Sequence, residues 1–258
     1  DGYHLWSDRY DRNLEDIFGI QDEISLAIAD NLKVKLLNEE KETRIRPPTA
    51  NVEAYQLYMR GRFYLSQGNP EGLNLAIDYF KQAIDLDPRF ALAYAGIADS
   101  NTWLCAGMGI VPPGESIQQA RESALKAVEL CPEIADTHTA SGMVATFFDW
   151  DRIAAGKFFR RALALNSNSA SALCGCAMYL MLLEHRHDEA LEMLDRAKAL
   201  DPLNILIHLF AGSAKNCLGK CDEVIAEATK LISPDPLNWH YYHMLGEAYG
   251  IKGAYRDA

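Results

Sequence analysis

The residues best suited to metal chemistry lie together at His185-Arg186-His187-Asp188-Glu189, where two imidazoles and two carboxylates fall within five positions. Zinc takes four such donors in a tetrahedron. This run, however, sits in a turn just before the apolar helical stripe that starts at Ala190, a setting in which charged residues are ordinarily solvated. The cysteines are weaker candidates. Cys174 and Cys176 are two apart in a helical pattern and therefore diverge; Cys217 and Cys221 flank Gly219 with no second pair to complete a site. A glycine-rich phosphate loop, a GxSxG elbow and an HExxH helix are all absent from the sequence. No catalytic set, metal site or cofactor is expected, and the chemistry left is recognition.

The composition narrows what is recognised. The 258 residues are 49% hydrophobic and 24% charged, enough for a sizeable core, and the net charge of −11 disfavours nucleic acid or an anionic membrane as the main partner. No apolar run approaches the length of a membrane helix. The six cysteines fall inside helical patterns of a fold that needs no staples, so free thiols and a cytoplasmic location are expected.

The elements that must position any binding residue are helices in pairs. In KQAIDLDPRFALAYAGIAD (81–99) one helix stops at Asp87-Pro88, because proline lacks the backbone donor and turns its predecessor away from helix, and another starts at Ala91. The junction recurs at Pro132, Ser167, Pro202 and Pro236, at intervals of 44, 35, 35 and 34 residues. Two helices per period of about 34 residues resemble a tetratricopeptide array. Repeats are expected near 54–90, 91–134, 135–169, 170–204 and 205–238, with a partial unit at 239–258. The segment 107–116, GMGIVPPGES, accounts for the long first interval. Small residues at Gly61 and Ala76 let the paired helices approach closely, with Phe80 filling the space beside them; Gly142, Ala155 and Phe159 repeat the pattern.

Ahead of the array, at 14–47, Ile17, Ile20, Ile24, Ile28, Leu32 and Leu36 make a long amphipathic helix, ended by the charged run to Arg46 and by Pro47-Pro48. Residues 1–13 are strand-like. The run HLWSDRYDRNLEDIFGIQDEI (4–24) resembles the closing strand and last helix of the TolB-like domain of bacterial signalling proteins. In such proteins that domain and its repeats follow an adenylate or guanylate cyclase, a serine/threonine kinase or a winged-helix domain. The resemblance implies an upstream domain outside this sequence, and the array ends in mid-unit at Ala258, as a fragment would. The 14–37 stripe, without that domain, could pair two chains into a homodimer.

The same resemblance places a concave, partner-binding groove on the first helix of each pair. It assigns Tyr55, Tyr58, Arg62, Trp103, Met143, Phe147, Met178, Met181, Leu209, Asn216, His240 and His243, with Trp103 and Phe147 open to a core role instead. With Arg62 set against Asp99 and Glu247, this lining reads as aromatic, Met-rich and neutral, which favours an apolar or helical protein segment over an acidic tail. The expected architecture is all-α, a right-handed α-α superhelix of tetratricopeptide repeats behind a short strand-like segment and one long amphipathic helix. The expected role is a non-catalytic protein-interaction scaffold, the C-terminal part of a signalling protein resembling adenylate cyclases. The alternatives are an arm of a kinase or winged-helix regulator, or a small-molecule or enzymatic pocket near 107–116.

Overall fold

The computed structural model describes residues 49–107, 113–202, 204–233 and 239–253. The strand-like segment and amphipathic helix expected over 1–47 lie outside them. The chain divides into two compact units, 1–52 and 53–258, and all regular structure among the described residues is helical. The helices are α1 (Val52–Ser66), α2 (Pro70–Leu86), α3 (Ala91–Thr102), α4 (Pro113–Leu130), α5 (Ala135–Phe147), α6 (Arg152–Leu165), α7 (Ala170–Tyr179), α8 (His187–Leu200), α9 (Ile205–Cys217), α10 (Cys221–Ile232) and α11 (Trp239–Ile251). They stack as an all-α helical-repeat superhelix. Partners pack α3 with α4, α5 with α6, and α7 with α8, while first helices stack α3 on α5, α5 on α7 and α9 on α11.

One local chemistry recurs at each junction. The N–H groups of Asp87, Cys131, Asn166 and Asp201 donate back to Ala83, Ala127, Ala162 and Ala197, closing the preceding helix. Asp87, Asn166 and Asp201 then turn extended or irregular, as the following proline requires at Asp87 and Asp201. New helices start on side-chain caps: Asn69 Oδ1 accepts from Gly72 N at 2.7 Å, Ser169 Oγ from Ala172 N, and Asn204 Oδ1 from Leu206 N. Asp151 Oδ1 takes two such bonds, from Ile153 N and Ala154 N, directly after Trp150 at a left-handed φ of 50°.

Packing follows a small–large–small rule. The ring of Phe80 lies between Gly61 and Gly96, where an added Cβ would come within 2.5 Å of it on either side; Phe159 lies between Gly142 and Gly175 in the same way, at 2.8 and 2.7 Å. Glycine is needed at these positions for want of a Cβ. Two features have no counterpart in the sequence reading. α3 and α7 each run into a π-helical turn, Trp103–Gly107 and Leu180–Glu184, which advances the register of the side chains there relative to a plain α-helix.

The last pairs are locked by one carboxylate. Glu227 of α10 accepts from Lys215 Nζ at 2.9 Å and from Lys198 Nζ, and lies 3.3 Å from His208 Nδ1. Hydrogen bonding with His208 above all, then with the two lysines, holds its carboxyl well below the usual carboxylate range despite partial burial. A depressed folded-state pKa means that this stabilisation is complete above the unfolded value, roughly 4.3, and is lost as pH falls through the folded one. The stability advantage of wild type over Glu227→Gln is therefore expected to shrink in denaturant titrations taken from pH 6 to pH 3. An advantage constant with pH would show that the carboxylate's charge is not what holds α8, α9 and α10.

Candidate functional site

The inner face of the stack carries a groove of ≈ 180 Å³. α1 supplies Tyr58 and Arg62; α3 supplies Leu92 and Asp99, and the turn after it Trp103; α5 supplies Asp136, Thr139 and Met143; α7 supplies Ser171, Cys174 and Met178. Asp201, Asn204, Leu206 and Ile207, at the α8–α9 junction and the start of α9, close the far side. Its lining comes mainly from first helices, with the α8–α9 junction closing one side.

Of the residues assigned to a groove from the sequence, the structure brings together Tyr58, Arg62, Trp103, Met143 and Met178. Met143 and Met178 are at the same time core, exposed by only 5% and 7%, so their sulfurs form the floor. Trp103 also does both: its ring stacks on Phe210 at 5.4 Å and lies 6.0 Å from Phe147. Phe147 and Met181 pack against the central core instead, and Leu209 against the core of the last repeats. Tyr55 packs against the first core cluster. Asn216 is buried, donating to Glu247 Oε2 at 3.3 Å. His243 is exposed beside Trp239, and His240 is buried 3.5 Å from where a Cβ on Gly68 would stand.

Those last contacts show why the groove is bounded. The α1–α2 turn at Gly68 meets Leu206 of α9 and His240 of α11, and Trp103 reaches Phe210 of α9. The first and last repeats thus touch across the concave side, which bounds the slot.

The lining is not neutral, which corrects the sequence reading. Arg62 faces three carboxylates, Asp99, Asp136 and Asp201. Arg62 Nη1 donates to Tyr58 Oη at 3.1 Å, Ser171 Oγ to Asp136 Oδ1 at 2.9 Å, and Asn204 Nδ2 to Asp201 Oδ2 at 3.0 Å. Asp99 Oδ1 is enclosed and has no hydrogen-bond partner among the described residues. Burial pushes the Asp99 carboxyl up to about 7, against the pull of Arg62 and with a push from Asp136. Burial also pushes the Cys174 thiol up to about 12, so that sulfur is inert at neutral pH. Asp136, in the first turn of α5, and Asp201, closing α8, escaped the sequence reading because a carboxylate at a helix end reads as capping.

Elsewhere, the run His185 to Glu189 is engaged locally. Arg186 pairs with Glu189, and His185 adopts a left-handed φ of 55°. No set of three metal-ligating side chains that could hold an ion occurs among the described residues. The described cysteines are free thiols. No described helix is long and apolar enough to cross a membrane, and no described residue of 107–116 lines the groove.

Comparison with known proteins agrees with this fold. A family model described as tetratricopeptide repeat matches residues 57–90. Among solved structures, a thermophilic TPR protein of Thermus thermophilus superposes with a TM-score of 0.58 at 16% identity, over 76% of this chain and 98% of that one. Yeast Tom70 gives a TM-score of 0.50 at 17% identity, over 90% of this chain and 47% of that one. In sequence, a protein named "Putative adenylate cyclase 3" from Rhizobium meliloti (strain 1021) is 39% identical over 97 residues, 38% of this chain and 16% of that protein. Transcriptional regulator HilA of Salmonella typhimurium is 25% identical over 152 residues, 59% of this chain and 27% of that protein. The chain thus matches less than a third of the length of either curated relative.

Proposed function

We propose that this chain is a non-catalytic protein-interaction scaffold whose ligand is a segment of a partner protein held in the concave groove. The observation that carries the reading is the groove itself: Tyr58 and Arg62 of α1, Trp103 of the turn after α3, Met143 of α5 and Met178 of α7 converge on one slot. A tetratricopeptide fold supports this role and gives no support to a catalytic one. The favoured occupant is an apolar or helical segment, which the aromatic and Met-rich lining suits. The apolar floor and the excess of aspartates both disfavour an acidic tail.

The reading of 1–13 as the end of a TolB-like domain, 14–47 as helix and linker and 48–258 as the array belongs to the same proposal. So does its place in a cytoplasmic bacterial signalling protein. The match to a cyclase-named protein supports a cyclase as the upstream partner domain; the match to HilA supports a transcriptional regulator. Homodimerisation through 14–37 is a further part of the proposal, read by light scattering with and without residues 1–47.

Ser171→Trp tests the groove. Ser171 is exposed on its rim, so an indole there plugs the slot without disturbing the core. Peptides selected from a random phage-displayed library on the wild-type chain are expected to bind the plugged variant at least roughly tenfold more weakly by fluorescence anisotropy, with the melting temperature held. That tenfold corresponds to about 1.4 kcal/mol. Lys157→Trp, on the outer face of α6, is the control. Selected peptides that bind both variants alike would move the binding site off the concave face.

A further inference from the structure

We infer that the groove holds a site for a primary alkylammonium group, seated on Asp99 with its aliphatic stem along Trp103, Met143 and Met178. The inference rests on the groove being the binding surface and names the chemistry it selects.

Four ionisable side chains charge the slot, each from a different helix or junction: Arg62, Asp99, Asp136 and Asp201. Three carboxylates against one guanidinium favour a cation. A carboxylate ligand drawn to Arg62 would have to sit among the aspartates. The three acids differ in what they already hold. Asp136 accepts from Ser171 and Asp201 from Asn204, whereas the enclosed Asp99 Oδ1 accepts from nothing among the described groups. Buried acceptors are almost always satisfied in folded proteins, so the Asp99 carboxyl, which lines the slot and whose enclosed Oδ1 lacks a partner among the described residues, points to a donor that arrives with a ligand.

The shape of the slot selects the donor. A single unpartnered oxygen suits a compact ammonium with rotatable N–H groups better than a planar guanidinium, which seeks two parallel acceptors. Trp103 lines the same wall, and an indole ring attracts a cation. The thioethers of Met143 and Met178, with Leu92 and Ile207, complete an apolar sleeve, matching a four- or five-carbon stem. Such a group reaches the slot either as the lysine side chain of a partner segment or as a free aliphatic diamine; the scaffold reading makes lysine the expected source. The raised Asp99 carboxyl supplies an independent signature. An ammonium on it, alongside Arg62 and opposed by Asp136, draws it back toward ionisation, so binding near neutral pH releases a proton.

The experiment is isothermal titration of the full chain with N-acetyl-lysine methylamide, its neutral analogue N-acetyl-norleucine methylamide, and cadaverine, at low salt and in two buffers of different ionisation enthalpy. The lysine probe is expected to bind with one-to-one stoichiometry, to release a proton at pH 7, and to weaken at least tenfold in an Asp99→Asn chain whose melting temperature is no lower than that of wild type. The norleucine probe should give no binding. Equal affinity in Asp99→Asn and wild type, or norleucine binding as well as lysine, overturns the site. Cadaverine binding in the absence of lysine binding keeps the ammonium site but overturns the partner side chain as its source. Failure here is separable from failure of the scaffold: selected peptides lost on Ser171→Trp but indifferent to Asp99→Asn leave the scaffold standing and remove the ammonium site. Amine binding that needs Asp99, with no peptide captured, does the reverse.

Discussion

Phe159→Ala is expected to destabilise the chain by about 3–5 kcal/mol, the range for truncating a buried aromatic. The side chain is exposed by 0%, and its ring is wedged between Gly142 of α5 and Gly175 of α7. Neither glycine has a side chain that could swing into the space, so the cavity cannot collapse and the upper part of the range applies. In a repeat array, stability is close to a sum of repeat terms and nearest-neighbour terms, and Phe159 enters both. It joins α6 to α5 within a repeat, and through Gly175 it joins that repeat to the next. Guanidinium chloride unfolding followed by circular dichroism should therefore show a lower midpoint and a broader transition, as the two halves of the array uncouple. Ile153→Ala, on the same helix but 79% exposed, should leave the curve almost unchanged. A Phe159→Ala chain within about 1 kcal/mol of wild type would mean that the aromatic wedge does not organise the array.

That wedge was legible in the sequence because its causes are local. Gly61 with Phe80 and Gly142 with Phe159 recur with the repeat, and the junctions at Asp87-Pro88 and Asp201-Pro202 follow from proline's missing donor. The π-helical turns at Trp103–Gly107 and Leu180–Glu184 were not legible, since no residue type in those stretches demands the extra residue per turn. The return of the first repeat to the last was hidden for another reason. Whether Gly68 meets His240, or Trp103 meets Phe210, depends on small rotations summed over four repeats, a quantity no single window of sequence holds. The same summation explains the site. Positions on α1, α3, α5 and α7 were foreseeable as an inner face, but Leu209, Asn216, His240 and His243 were placed there by extending a straight pattern that the closure diverts. Asp136 and Asp201 line the slot from the first turn of α5 and the end of α8, which converts an apparently neutral slot into an acidic one.

Mild acid is expected to loosen that closure, with His240 as the group responsible. His240 is exposed by only 2%, and burial pushes its imidazole down to about 4, with His243 adding to the push and a hydrogen bond to the Gly68 backbone opposing it. In the unfolded chain the same group titrates near 6.5. Between these values the unfolded state takes up a proton that the folded state refuses, so stability rises with pH across the window and falls as pH drops through it. Two to three units at 1.36 kcal/mol each give a loss of roughly 3 kcal/mol by pH 4. Asp99 acts with the opposite sign: its carboxyl is raised to about 7, so the folded chain binds its proton more readily and gains relative stability as pH falls from 7 toward 4. The raw pH profile of the wild type is thus a poor test, because the two slopes oppose each other. The difference between wild type and His240→Gln isolates the histidine. Its stability advantage should fall steadily from pH 7 to pH 5, accompanied by a change in tryptophan fluorescence as Trp239, stacked on His240 at 3.9 Å, is released. A difference that stays flat over that interval would mean that His240 does not gate the contact between α11 and the α1–α2 turn.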